Sequence, residues 1–196
     1  MRLRSLNMSS AAMLFASTLI VNTGNYLINL LLGRFLGPAA FSEASAIATL
    51  VLVMSFIAVG IQLATAKFVA EDSQENNVAK IYSWFSTKTF SVSLKLSFLL
   101  IILSPWIKSY LQLDSVVPLQ ALFIGMPLFF GLAVKRGYYQ GLDKMKTLSM
   151  TYLSEMGLRL IVTSVLVFAA LSQLGLDTTL AVAIGFLAPL LLVLYV

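Results

Sequence analysis

The chain contains no cysteine and no histidine. It can therefore form no disulfide, offers no thiolate nucleophile, and has no imidazole to act as a metal ligand or a general base. A Ser/His/Asp set is excluded outright, and no glycine-rich loop ending in Gly-Lys-Ser/Thr is present to cradle nucleotide phosphates. The sequence thus predicts no enzyme, no metal and no cofactor. Charge is scarce as well: Asp, Glu, Lys and Arg make up 11% of the 196 residues, against 59% hydrophobic, with a mean hydropathy of +0.93. A soluble domain of this length could not bury so much apolar surface, whereas a bilayer covers it.

What the chain does have is a set of long apolar runs separated by basic gaps. Six candidate spans run over 11–33, 41–69, 90–110, 115–134, 148–171 and 178–196. Each comes close to the length of about 20 helical residues needed to cross a hydrocarbon core about 30 Å thick. Pro105, Pro127 and Pro189 fall inside or near the ends of spans. Membrane helices tolerate proline where neighbouring groups re-satisfy the freed backbone carbonyl. The expected fold is an all-α polytopic helical bundle, one unit over 1–196. Arg2 and Arg4 ahead of an apolar run imitate a signal peptide. The run is too long, however, carries three Asn and lacks a small-residue cleavage site, so it reads as an uncleaved first span.

Charge sets the expected orientation. With a cytoplasmic N-terminus, the inner segments hold Arg2, Arg4, Lys67, Lys80, Lys88, Lys135, Arg136, Lys144 and Lys146, and the outer ones only Arg34 and Lys108. That asymmetry follows the positive-inside rule, and it makes the basic pI a property of membrane topology instead of a nucleic-acid surface. Residues 70–87 read as the one longer cytoplasmic loop, a polar turn leading into an amphipathic interfacial segment anchored by Tyr82, Trp84 and Phe85. The sequence stops flush with its last apolar run, which is expected of the N-terminal part of a longer transporter.

Polar residues inside the spans carry the functional reading. Thr18, Asn22, Asn25 and Asn29 fall on one face of the first span at about 100° per residue. Such a stripe lines a cavity or hydrogen-bonds a partner helix. In the fifth span Glu155 and Arg159 stand at i,i+4 beside Thr151, Tyr152 and Thr163, with Glu before Arg in the favourable order. Arg159 would lie about 16 Å into the span, where an unpaired charge costs at least about 2.5–3.5 kcal/mol. The pair is read as an anion site (Arg159) beside a titratable, ion-coupling carboxylate (Glu155), or else as a self-neutralising structural pair. Lys95 lies inside the third span and either snorkels to the headgroups or faces a ligand. Arg34 and Glu43 bracket an outer turn, where they pair with each other or gate an opening. Gln62, Thr65 and Lys67 mark the inner end of the second span, and Lys135 and Arg136 that of the fourth. These cations read chiefly as topology determinants and headgroup anchors, the alternative being that one or two meet a phosphate on the cytoplasmic side. The spacings Gly33-x-x-x-Gly37 and Gly137-x-x-x-Gly141 are expected to lie in loops and to carry no helix-packing signal.

The stretch NYLINLLLGRFLGPAAFSEASAI (25–47) resembles the first-to-second helix region of prokaryotic polysaccharide flippases, where a Leu-Gly-Pro turn precedes an aromatic residue. VGIQLATAKFVAE (59–71) and RGYYQGLDKMKTLSMTYLSEMGLRL (136–160) also resemble that family, part of the multidrug/oligosaccharidyl-lipid/polysaccharide exporter superfamily. The resemblance implies one lobe of a two-lobed alternating-access transporter in the cytoplasmic membrane, with an opposing C-terminal lobe in cis or on a second chain. Its implied substrate is a polyprenyl-pyrophosphate-linked oligosaccharide. On this view Arg159, with Lys95 or Arg34, holds the pyrophosphate; Asn22, Asn25 and Asn29 face the sugars; and Glu155 couples transport to a cation. The rivals are a cation-coupled multidrug antiporter of the same superfamily, which wants a net negative cavity, and a non-transporting membrane scaffold, which would show apolar, small-residue span faces.

Overall fold

A computed structural model describes residues 8–72, 75–171 and 177–195. They form six helices and, among the described residues, no strand: α1 (Met8–Phe35), α2 (Pro38–Glu71), α3 (Glu75–Leu111), α4 (Val117–Gly141), α5 (Met145–Leu171) and α6 (Thr178–Tyr195). Helices α1 to α5 are long and apolar enough to cross a membrane, and α6 is the shorter apolar helix of the set. Large apolar side chains such as Phe15, Phe56, Phe98 and Trp106 point outward. In water these would be costly, and in a bilayer they face lipid. The chain is a multi-pass membrane helical bundle.

Helix starts and stops follow local chemistry. Pro38 opens α2 in its first turn, where its missing N–H breaks no bond. Helices α3 and α4 end on residues with positive φ, Gln112 (53°) and Asp143 (59°). In each case the following N–H reaches back five residues, Leu113 to the Lys108 carbonyl at 3.1 Å and Lys144 to the Tyr139 carbonyl at 2.9 Å. Both ends are therefore closed by Schellman motifs without glycine.

Helix α4 is the hub, packed against α2, α3, α5 and α6. Its Pro127 leaves the Phe123 carbonyl without its helical donor. The Ser97 hydroxyl of α3 donates to that carbonyl at 2.5 Å. Pro105 of α3 does the same to Ile101, whose carbonyl receives the Ser104 hydroxyl at 2.7 Å. The freed backbone acceptors are thus re-satisfied by serines, as the bilayer demands.

Two expectations are corrected here. Residues 70–87 do not form a long loop: α2 runs to Glu71 and α3 begins at Glu75, so the aromatic segment is the first turns of α3. Gly137 and Gly141 lie inside α4, which continues about two turns past Val134. A Cβ on Gly137 would sit 2.5 Å from the Gln62 carbonyl oxygen of α2, and one on Gly141 2.6 Å from Val69 Cβ. The small-xxx-small spacing therefore brings two helices of this chain into backbone contact. That contact is what carries Arg136 and Gln62 into one place.

Helix α2 presents Ala44, Ile47, Val51, Met54 and Ala58 at alternating three- and four-residue spacing to the core. Helix α1 packs on α5 through Gly24, which abuts Met156, and through Ile28 and Leu32. Between α1 and α2 there is little contact beyond the turn that joins them. The cleft they leave, floored by α4, α5 and α6, is the site described next.

Candidate functional site

Two connected cavities occupy the cleft. The first, of about 170 Å³, is bordered by Asn25 of α1, Ser55 and Gln62 of α2, Arg136 of α4, and Glu155 and Arg159 of α5. The second, of about 340 Å³, continues past Asn25 and Ser55 to Asn29, Thr49 and Phe186. Arg159 borders both.

Arg159 belongs to a buried Arg–Glu–Arg triad whose other two members border the first cavity. Glu155 Oε1 accepts from Arg159 Nη2 one turn on, the i,i+4 pair expected from the sequence. Glu155 Oε2 accepts from Arg136 Nη2 at 2.6 Å across the α4–α5 interface. All three residues are less than a tenth exposed: Arg136 9%, Glu155 7%, Arg159 8%. Two guanidinium groups share one carboxylate, so the cluster carries one formal positive charge in excess. In a medium of low dielectric such a charge acts strongly on anything entering the cleft.

The two arginines are held very differently. Arg136 also donates from Nη2 to the Thr151 carbonyl at 3.0 Å and from Nε to Thr151 Oγ1 at 3.4 Å, and its guanidinium lies 4.0 Å over the Tyr152 ring. Tyr152 donates to Gln62 Oε1 at 2.9 Å, and Gln62 Nε2 donates to Gln140 Oε1 at 2.7 Å. This chain of bonds ties α2, α4 and α5 together at the Gln62 end of the cleft. Among the described residues Arg159 bonds only Glu155; its Nε is buried without a hydrogen-bond partner, and its guanidinium stands 5.1 Å from the Phe186 ring. A buried N–H without a partner is uncommon and leaves this guanidinium less fully bonded than that of Arg136.

The residues singled out from sequence divide into two sets. Asn25, Asn29, Glu155 and Arg159 come together around the cavities. Asn22 is exposed on α1 and borders neither cavity. Lys95 is exposed on the outward face of α3, because α3 turns Ser93 and Ser97 toward the bundle instead. Arg34 is exposed at the end of α1 and does not reach Glu43. The Glu43 carboxylate accepts instead from the Asp114 N–H and the Thr179 hydroxyl, both at 2.7 Å, clasping α2 to the α3–α4 turn and the start of α6. Arg136, expected at the headgroups, is in the bundle because α4 extends beyond the apolar run and Glu155 meets its charge. The signal for this was the glycine pair on either side of Tyr138, Tyr139 and Gln140, a stretch free of helix breakers and able to prolong α4.

Among the described residues no cluster of acidic side chains could hold a metal ion.

A family described as polysaccharide biosynthesis protein matches residues 8–196 of the chain. No curated protein and no solved structure gives a significant match.

Proposed function

The chain belongs to the polysaccharide biosynthesis protein family, and on that premise we propose that it carries a polyprenyl-pyrophosphate-linked oligosaccharide from the inner to the outer leaflet of the cytoplasmic membrane. The observation that carries this reading is the triad, a buried cluster with one uncompensated positive charge whose Arg159 borders both cavities. A pyrophosphate supplies the missing negative charge and the acceptor oxygens, and guanidinium groups bind phosphate in charge-assisted, bidentate fashion. Asn25, Asn29, Ser55 and Thr49 along the cleft offer the donors and acceptors that sugar hydroxyls require. Glu155, the only acidic side chain among the described residues bordering either cavity, is the residue on which cation coupling would act.

In this reading the protein is a transporter and not an enzyme. The basic gaps support a cytoplasmic N-terminus. The open side of the cleft between α1 and α2 faces an opposing lobe, in cis or on a second chain, against which this one rocks. An antiporter of organic cations would need the opposite charge balance in the cleft. A scaffold would have no use for a buried cluster that apolar packing could replace more cheaply.

Photocrosslinking tests the assignment. A polyprenyl-pyrophosphate disaccharide with a diazirine on its first sugar is expected to label peptides of α1, α2 and α5 around Asn25, Ser55 and Arg159. Labelling confined to the outward face of α3 around Lys95 would contradict it.

A further inference from the structure

The triad contains one more cation than its carboxylate can balance, and the geometry assigns the surplus. We propose that Arg136 is the dedicated counter-ion of Glu155, so that the charge of Arg159 is left free for the pyrophosphate. Arg136 is then a positioning residue that makes an anion site without itself holding the anion; the inference rests on the pyrophosphate reading above.

The asymmetry of the bonding supports this division. Arg136 is fixed on four sides, by Glu155, by the Thr151 carbonyl, by the Thr151 hydroxyl and by the Tyr152 ring. Tyr152 is itself fixed through Gln62 to Gln140. A guanidinium so engaged has little freedom to turn toward a ligand. Among the described residues Arg159 has one hydrogen-bonding partner, and it borders both cavities. Without Arg136, Glu155 and Arg159 would form a neutral i,i+4 pair and the cleft would have no charge to offer. With it, the anion meets a net positive centre. The charged groups that meet in the triad come from α4 and α5 only; α1, α2 and α6 contribute Asn25, Ser55, Gln62 and Phe186 to the surrounding walls.

This makes a charge-rescue prediction that a direct phosphate contact by Arg136 does not make. The probe is inorganic pyrophosphate, bound to the full chain in lipid nanodiscs and followed by phosphorus NMR line broadening. Wild type is expected to bind. Arg136→Gln is expected to bind about tenfold more weakly or worse, because Glu155 then neutralises Arg159. Arg136→Gln combined with Glu155→Gln restores the surplus charge and is expected to return binding to within about threefold of wild type. Glu155→Gln alone is expected to bind more tightly than wild type. Arg159→Gln is expected to bind nothing in any of these backgrounds.

The double substitution leaves Arg159 as a single cation without its carboxylate, so the unfolding midpoint of each variant is read beside its binding. Where the double variant does not fold, Glu155→Gln with its tighter binding carries the test, and binding no tighter than wild type overturns the inference. If the double variant binds as weakly as Arg136→Gln, Arg136 holds the anion itself and the inference fails while the pyrophosphate reading stands. If wild type binds no pyrophosphate, both fall together.

Discussion

Replacing Arg159 with alanine is expected to lower the initial rate of leaflet exchange of a pyrophosphate-linked oligosaccharide by about 10- to 100-fold, the loss of a charge-assisted contact worth about 1.5–3 kcal/mol. The protein should remain folded, because Glu155 keeps its bond to Arg136 and no acidic group is left alone in the bundle. The side chain removed has a single hydrogen-bonding partner, which limits the structural loss. Thermal unfolding in detergent separates the two effects: transport falls while the midpoint stays near that of wild type. Unimpaired transport would make the triad structural and move the substrate site to the asparagine face of α1.

The second large effect has the opposite character. Glu155→Gln leaves two guanidinium groups facing each other in the interior with no carboxylate between them. Removing one partner from a buried ionic cluster costs about 3–5 kcal/mol. The unfolding midpoint is therefore expected to drop markedly, far more than for Arg159→Ala. Added pyrophosphate should recover more of the midpoint in this variant than in wild type, since it replaces the missing counter-charge. A variant as stable as wild type, and indifferent to the anion, would show that the two arginines do not depend on Glu155.

Legibility from sequence followed the range of each interaction. The Glu155–Arg159 pair was visible because it is one helical turn long, and the spans were visible because lipid contact leaves a continuous apolar signature. Arg136 was misplaced because its partner lies 19 residues away on another helix. Its true position depends on α4 running past its apolar run to Gly141, a stretch whose glycines had been read as loop. The asparagine face of α1 was legible as a face, but not how much of it borders the cleft. That is decided by α1 leaning on α5, which brings Asn25 and Asn29 to the cavities and leaves Asn22 outside. Lys95 shows the converse limit: its depth in the span was readable, its outward direction was not. That neighbouring groups must answer Pro105 and Pro127 was readable; Ser104 answers the first from within α3, whereas Ser97 could be named for the second only once α3 and α4 were seen side by side.

The central claim is that this bundle moves an anionic lipid-linked sugar through the cleft around Arg159. Its most direct test is a leaflet-translocation assay in proteoliposomes made with the full-length gene product, under a proton or a sodium gradient. Two fluorescent polyprenyl-linked oligosaccharides are compared, one joined through pyrophosphate and one through an uncharged linker. The account predicts rapid exchange of the pyrophosphate-linked lipid and little of the neutral one. Equal rates for both, or exchange of neither under either gradient, would contradict it.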